Sequence, residues 1–502
     1  MPIYTINYIK QANPSSTHLV VIHVKDSWYY DKIFIGRNTQ PVKRVFYGTL
    51  IHSLSLANLE ILQNTLLGVD ISGKIAFLEK NVLDEITLSH IISQWEFPEQ
   101  EVIRLSKRQF LMPGFIDTHT HASQYPNAGT VYPIVVNNLL RSGTTTAVYF
   151  ATIHLESSKY LARLVKEKGQ RGFIGKVNMD CNSPENYIES LDNSVKSTEE
   201  FVKYVLNLEK DEGRGNGSRL VYPIITPRFA ITCTSQLMNS LGLLAKKYNM
   251  PIQSHLSENI GEINFISELF PHLPDYTTVY DHHGLLNEKT IMAHGIHLSS
   301  KELKLIKERN IGISHCPTSN FAICSGVCNV RQLLDEGIKV GLGTDLSGGY
   351  SKSILNAIRN ANIASRVVFM ASSKVDDKPL NKSFPHLTLP ELTYLATMGG
   401  AELVNLDKVI GNFLIGKEFD ALLIDPDACQ SPLDIFDDLE DTERIFEKFI
   451  FLGDERNLKS VYVKGKKVSG TDLVSMNLRE KELLKNLSKL DGGNCHLCNP
   501  NS

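Results

Sequence analysis

The residues with the clearest chemical potential lie in Asp117-Thr118-His119-Thr120-His121. They close a β-rich run, and successive strand side chains alternate between faces. His119 and His121 therefore point the same way, and two imidazoles on one face can share a metal ion. The plain alternative is two polar residues at a strand end, and the pair alone does not decide between them. His255 and His294 close two later β-rich runs, and Asp345 follows another. Three imidazoles and a carboxylate gathered at strand ends suit zinc, with a fourth position or an expanded coordination left for water. Glu258 lies three residues after His255, where it can lean over such a site and transfer protons. Its plain reading is a first-turn helix glutamate that favours the helix dipole; beside His255 the proton-transfer reading is preferred.

These residues are far apart in sequence and need a scaffold that brings strand ends together. From Phe115 to about Thr344, β-rich runs alternate with helical stretches. The strand candidates are Phe115–His119, Thr145–Phe150, Arg171–Val177, Leu220–Thr226, Ile252–His255, Thr290–His294, Ile311–His315 and Lys339–Thr344. Between them, Ser235–Tyr248 carries Leu237, Leu241, Leu244 and Ala245 at helical spacing, and Ser299 precedes the helical run Ser300–Glu308 as an N-cap. This is α/β rhythm, and eight such units match a (β/α)8 TIM-like barrel, whose active sites form at the C-terminal strand ends. A doubly wound open sheet is the other fold with this alternation.

The expected organisation is an N-terminal extension over 1–43, a first β-sandwich part over 44–105, a metal-hydrolase barrel over 106–402, a second β-sandwich part over 403–471 and a tail over 472–502. In the first flank, β-like runs at Arg44–Ser53 and Lys74–Leu78 surround a helix-like patch; in the second, Asp420–Ile424 and Ser460–Val463 precede a turn and strand at 464–468. A small β-sandwich assembled from both ends of the chain follows from that pattern. The segment 209–218 reads as an exposed loop.

Composition narrows the class. Hydrophobic residues make up 42% and charged residues 21% of 502 positions, as in an ordinary globular enzyme. A net charge of -3 gives no basic footprint for nucleic acid or an anionic membrane. Eight scattered cysteines do not form a disulfide framework, and the N-terminus carries no basic region followed by an apolar core. No apolar run reaches the roughly 18 residues of a membrane span. A reduced, cytoplasmic enzyme is the expectation. Cys495-His496-Leu497-Cys498 resembles half of a metal knuckle, but Asn494 stands where the cysteine-based zinc deaminases have Pro. His297 and His315 read as structural histidines.

The chain resembles the amidohydrolase superfamily, with His-x-His after strand 1, a His after strands 5 and 6, and an Asp after strand 8. Within it the chain looks similar to the eukaryotic-type guanine deaminase family. The segments that carry the likeness are Pro113–Gly129 (PGFIDTHTHASQYPNAG), Pro227–Cys233 (PRFAITC), Gln253–Glu258 (QSHLSE), Met292–Gly295 (MAHG), His315–Asn320 (HCPTSN), Gly341–Asp345 (GLGTD), Gly411–Asp420 and Phe451–Asn457. The likeness covers about residues 44 to 470.

The resemblance implies that His119, His121, His255 and Asp345 ligate one zinc ion per subunit, while His294 stands beside the metal-bound water as a non-ligand. It implies that His121, Gln124, Arg228, Phe229, His255, Glu258 and Asp345 contact guanine, with Gln124 and Arg228 on the purine edge and Phe229 against the ring. Without the resemblance, Arg228 could be an ordinary salt-bridged residue and Phe229 plain core. The implied catalytic groups are Glu258, His294 and Asp345. Zinc-activated hydroxide would attack C2, giving xanthine and ammonia, and the enzyme would be a homodimer. The competing expectations are the same zinc kit acting on another purine, an s-triazine or a hydroxylated guanine, and a non-catalytic scaffold on the same fold.

Overall fold

The computed structural model describes residues 40–124, 132–209, 218–372, 385–436 and 440–471. Cys495, Cys498, most of the segment 209–218 and most of the two terminal extensions lie outside these residues.

Two four-stranded parallel sheets form the centre. One runs Val221–Pro223, Arg171–Gly175, Thr144–Phe150, Phe115–His121; the other runs Ile252–Leu256, Thr290–His294, Gly312–His315, Lys339–Leu342. A parallel bridge between Ile225 and Ile252 joins them on one side. On the other side, Asp345 N donates to His119 O at 2.9 Å and Thr118 Oγ1 to Leu342 O at 2.9 Å. The buried Asp117 carboxylate reinforces that seam, accepting from Thr344 N at 2.9 Å and Thr344 Oγ1 at 2.6 Å.

Several elements differ from expectation in their bounds. The first strand continues through His121, so both histidines of the pair are strand residues. The third and fourth runs each break in two, giving Val177–Asn178 and Thr226–Pro227 as a separate parallel pair. Pro223 and Pro227 lack the N–H that a continuous ladder requires. Asp345 follows the end of its strand at Leu342 by a short turn.

Helices cover the strands where the apolar spacing placed them. Ser235–Tyr248 buries Leu237, Leu241, Leu244 and Ala245, and Thr234 Oγ1 accepts from Leu237 N. Ser300–Glu308 starts at a capping box in which Ser299 and Glu302 satisfy each other's backbone N–H groups. Asn259 and Glu262 form a second box at the start of Ile260–Leu269, just beyond Glu258.

The two flanking segments meet in one eight-stranded sheet, ordered Lys466–Ser469, Leu458–Val463, Ala421–Ile424, Phe110–Pro113, Val42–Ser55, Asn58–Asp70, Ile75–Glu79, with Ile103–Arg104 also paired to Val42–Ser55. Alternate residues feed two cores: Phe46 and Leu67 pack with Phe419 and Tyr462, while Val45 and Leu66 pack with Phe77 and Leu88. The helix-like patch after Ser53 is instead the 13-residue strand Asn58–Asp70, and the helix of this flank lies later, at Glu85–Gln94. Leu59, Leu62 and Leu66 suit a helical face as well as a strand. Antiparallel pairing with the long Val42–Ser55 strand, a nonlocal effect, selects the strand.

Candidate active site

The five metal-ligand candidates come together where the strands end. His119 and His121 reach the site as alternate residues of Phe115–His121. His119 Nε2 lies 3.3 Å and His121 Nε2 3.4 Å from Asp345 Oδ1, and His121 Nε2 lies 3.2 Å from His255 Nε2. Two sets of ligand atoms, on His119, His255, His294 and on His119, His121, Asp345, each fall within 4.8 Å of one another. Both share His119.

Burial sets the electrostatics. It pushes the His119 and His255 imidazoles below their ordinary value and His121 down to about 3. Burial would raise the Asp345 carboxyl, but His119 and His121 beside it outweigh that and hold it well below the usual carboxylate range. Neutral imidazoles and an ionised carboxylate are the forms that bind a metal ion. The His119 Nε2 atom is buried and has no hydrogen-bond partner. A cation among these atoms satisfies it, so the donor set fits a metal centre.

The ligand frame is held from behind. His255 Nδ1 hydrogen-bonds to Arg228 O at 2.6 Å, which directs Nε2 toward the cluster. The Phe150 ring packs on His119, His121 and His255, with centroid separations of 4.9, 4.8 and 4.8 Å, and keeps water from their apolar sides. Ser257, His294 and Asp345 all have positive φ, at 48°, 73° and 44°. For residues other than glycine this conformation costs on the order of 1–3 kcal/mol, and such residues concentrate at functional sites. Gly348 permits the turn around Asp345, because a Cβ there would stand 2.5 Å from Asp345 Oδ2.

A cavity of about 250 Å³ opens beside the cluster, lined by His121, Ser123, Gln124, Phe150, Ala151, Val177, Tyr187 and Arg228. It brings the exposed Gln124 and the half-buried Arg228 onto the same space as His121 of the candidate cluster. Phe229 is not among the lining residues; its ring stands edge-on to His255 at 6.2 Å. Glu258 Oε2 lies 3.8 Å and Asp345 Oδ2 3.9 Å from His294 Nε2.

Residues 110–468 match the amidohydrolase family. The chain belongs to that family. Among its relatives, this amidohydrolase is 45% identical to a guanine deaminase of Dictyostelium discoideum, over 85% of this chain and 98% of the relative. It is 44% identical to the guanine deaminase of Homo sapiens, over 85% and 97% of the two chains. A crystal structure of guanine deaminase from C. acetobutylicum, with guanine bound in its active site, superposes with a TM-score of 0.73 at 32% identity, over 85% and 100% of the chains.

Some site residues of this amidohydrolase escaped sequence reasoning. Phe150 and Tyr187 are aromatic residues in ordinary apolar surroundings, and nothing local marks them. Asn320 and Ser325 touch His294 and Glu258 only through the fold. Asn320 does close the HCPTSN segment, which was a usable signal. His297 hydrogen-bonds to Ser325 O at 2.8 Å, whereas His315 is buried with both ring nitrogens unpartnered. The chain also holds a His-x-Glu triplet, His154-Leu155-Glu156, of the kind used by cysteine-based deaminases. His154 is the N-cap residue of the helix Leu155–Lys168, and Glu156 pairs with Lys159 at 2.8 Å.

Proposed function

We propose that this chain is a zinc-dependent guanine deaminase, hydrolysing guanine to xanthine and ammonia. The observation that carries the reading is the shared cavity, in which Gln124 and Arg228 face the same space as His121 of the metal-ligand cluster. Amide and guanidinium groups beside a metal centre suit a flat, polar-edged heterocycle. The relatives reported above add support from both sequence and structure.

In this reading His119, His121, His255 and Asp345 hold zinc, a borderline-soft ion suited to imidazole and carboxylate. When bound, the ion acts as a Lewis acid and lowers the pKa of a water molecule from about 15.7 toward about 7. Asp345 accepts a proton from the attacking water. Glu258 delivers a proton to the guanine ring nitrogen, which makes C2 more electrophilic, and then assists departure of the amino group as ammonia. The bond formed is C2–O and the bond broken is C2–N. Gln124 and Arg228 bind the purine edge, Phe229 confines the ring from the His255 side, and His294 orients the reacting group without ligating the ion.

The same reading takes residues 106–402 as a closed (β/α)8 barrel, supported by the seam contacts on both sides of the two parallel sheets. It takes 44–105 with 403–471 as a small β-sandwich domain, supported by the cores on the two faces of the shared sheet. The family resemblance supports a cytoplasmic homodimer; among the described residues no helix is long and apolar enough to cross a membrane. The test is release of xanthine and ammonia from guanine by purified protein, with adenine and cytosine as controls, before and after a zinc chelator. Chelator-sensitive turnover of guanine alone is expected. Zinc-loaded protein that leaves guanine intact overturns the reading.

A further inference from the structure

The short segment after Gly312–His315 reaches two of the proton-transfer candidates at once. Asn320, at 2% exposure, places its side-chain Oδ1 2.9 Å from His294 Nδ1. Ser325, at 7% exposure, donates its hydroxyl to Glu258 Oε1 at 3.0 Å. The two are tied together, because Ser325 N donates to Asn320 O at 2.9 Å. Asn320 N in turn donates to Cys316 O at 3.0 Å, and His297 Nε2 donates to Ser325 O at 2.8 Å. The segment is thus a hydrogen-bonded turn, anchored at both ends, with one side chain aimed at each group.

We propose that Asn320 and Ser325 are positioning residues that assign the proton-bearing atoms of the site. An amide oxygen can only accept, so the Asn320 bond puts the proton of a neutral His294 ring on Nδ1. His294 Nε2 then carries a lone pair, 3.8 Å from Glu258 Oε2 and 3.9 Å from Asp345 Oδ2. In that form His294 cannot polarise an oxygen by donating to it; it accepts a hydrogen bond from the attacking water or from the departing amino group. The Ser325 hydroxyl occupies Glu258 Oε1 and leaves Oε2 as the atom that exchanges a proton with substrate. The backbone of Glu258 is held independently, with its N–H donating to Glu262 Oε2 at 2.8 Å, so Ser325 controls only the rotation of the carboxyl group. Neither residue is among the metal-ligand groups, and neither lines the cavity, so both act through their partners.

The inference rests on the proposed deaminase reading for its catalytic consequence, but its structural half stands apart. Ser325→Ala and Asn320→Leu are expected to lower kcat for guanine by about 10–100-fold, the usual cost of losing an orienting partner, with KM and zinc content within twofold of wild type. Ser325→Thr, which keeps the hydroxyl, is expected to recover most of the loss. A rise in KM at unchanged kcat, a loss of zinc, or wild-type kinetics in both variants overturns the proposal. Ring-nitrogen NMR of 15N-histidine-labelled protein reads the tautomer without turnover, through a protonated Nδ1 signal present in wild type and absent only in Asn320→Leu. Should Asn320→Leu fail to fold, Asn320→Ala takes its place in that experiment, likewise lacking the acceptor and therefore the signal. If no His294 Nδ1–H signal exists in wild type, the Asn320 assignment is wrong. Wild-type protein that shows the signal yet leaves guanine intact overturns the deaminase reading and retains the structural one.

Discussion

The Nδ1 atom of His255 lies 2.6 Å from the carbonyl oxygen of Arg228, so a metal-ligand candidate is oriented by the backbone of a residue whose side chain faces the cavity. One residue thereby serves both halves of the site, and the two services are separable. The carbonyl survives any side-chain change, whereas the guanidinium does not.

Arg228→Ala and Gln124→Ala are accordingly expected to retain zinc while raising KM for guanine. A hydrogen bond from a charged donor contributes about 1.5–3 kcal/mol, so the Arg228 effect should be at least about tenfold. Steady-state kinetics with metal analysis of the same samples checks this. Loss of metal from Arg228→Ala would place the side chain in the metal frame.

His121→Ala removes the Nε2 atom that lies against both Asp345 and His255. Metal content should fall below one zinc per chain and turnover should fall with it. Because ligand bound only to the folded state stabilises that state, chelation of wild type should also lower Tm, and it should do so far less in His121→Ala. Calorimetry with and without chelator reads both effects.

Arg171 ties the central sheet to the C-terminal flank and is fully buried. Its guanidinium contacts Glu418 Oε2 at 2.7 Å and Asp420 Oδ2 at 3.2 Å, and donates to Arg219 O at 2.9 Å. Burial alone would lower its pKa, but the two carboxylates raise it. Arg171→Met leaves the buried Asp420 carboxylate without its cation and Glu418 with Lys464 alone, and is expected to cost about 3–5 kcal/mol in urea unfolding. The combined variant Arg171→Met/Glu418→Gln/Asp420→Asn should cost less, since neither buried carboxylate charge remains.

His52 carries a pH dependence remote from the metal cluster. Burial lowers its pKa below 6.5, against the opposing influence of Glu60, while Lys80 and Lys417 lower it further. Its ring bridges Glu60 Oε2 at 3.0 Å and Phe413 N at 3.0 Å. With the folded pKa depressed, the unfolded chain binds the proton more readily. The His52 contribution to stability is therefore present above pH 6.5 and is lost as pH falls from there toward the folded pKa. Urea midpoints between pH 7.5 and 5.5 should fall less steeply in His52→Gln than in wild type; parallel slopes would remove His52 as the cause.

What the sequence determined by itself was local and periodic. Strand alternation set His119 and His121 on one face, apolar spacing laid out the helix Ser235–Tyr248, and the Ser299/Glu302 pair marked the start of Ser300–Glu308. Those features depend on residues within a few positions of each other, which is the range over which backbone geometry repeats. Short quoted motifs also nominated every residue of the ligand cluster. What only the tertiary structure decided are the contacts across long separations: His121 with His255, 134 residues apart, and Glu258 with Ser325, 67 apart. The choice of strand over helix for Asn58–Asp70, the packing of Phe150 on three imidazoles, and the position of Phe229 outside the cavity lining are of the same kind. Each depends on which surfaces meet after the chain closes, and hydrophobic packing is non-directional enough that no local pattern encodes the partner.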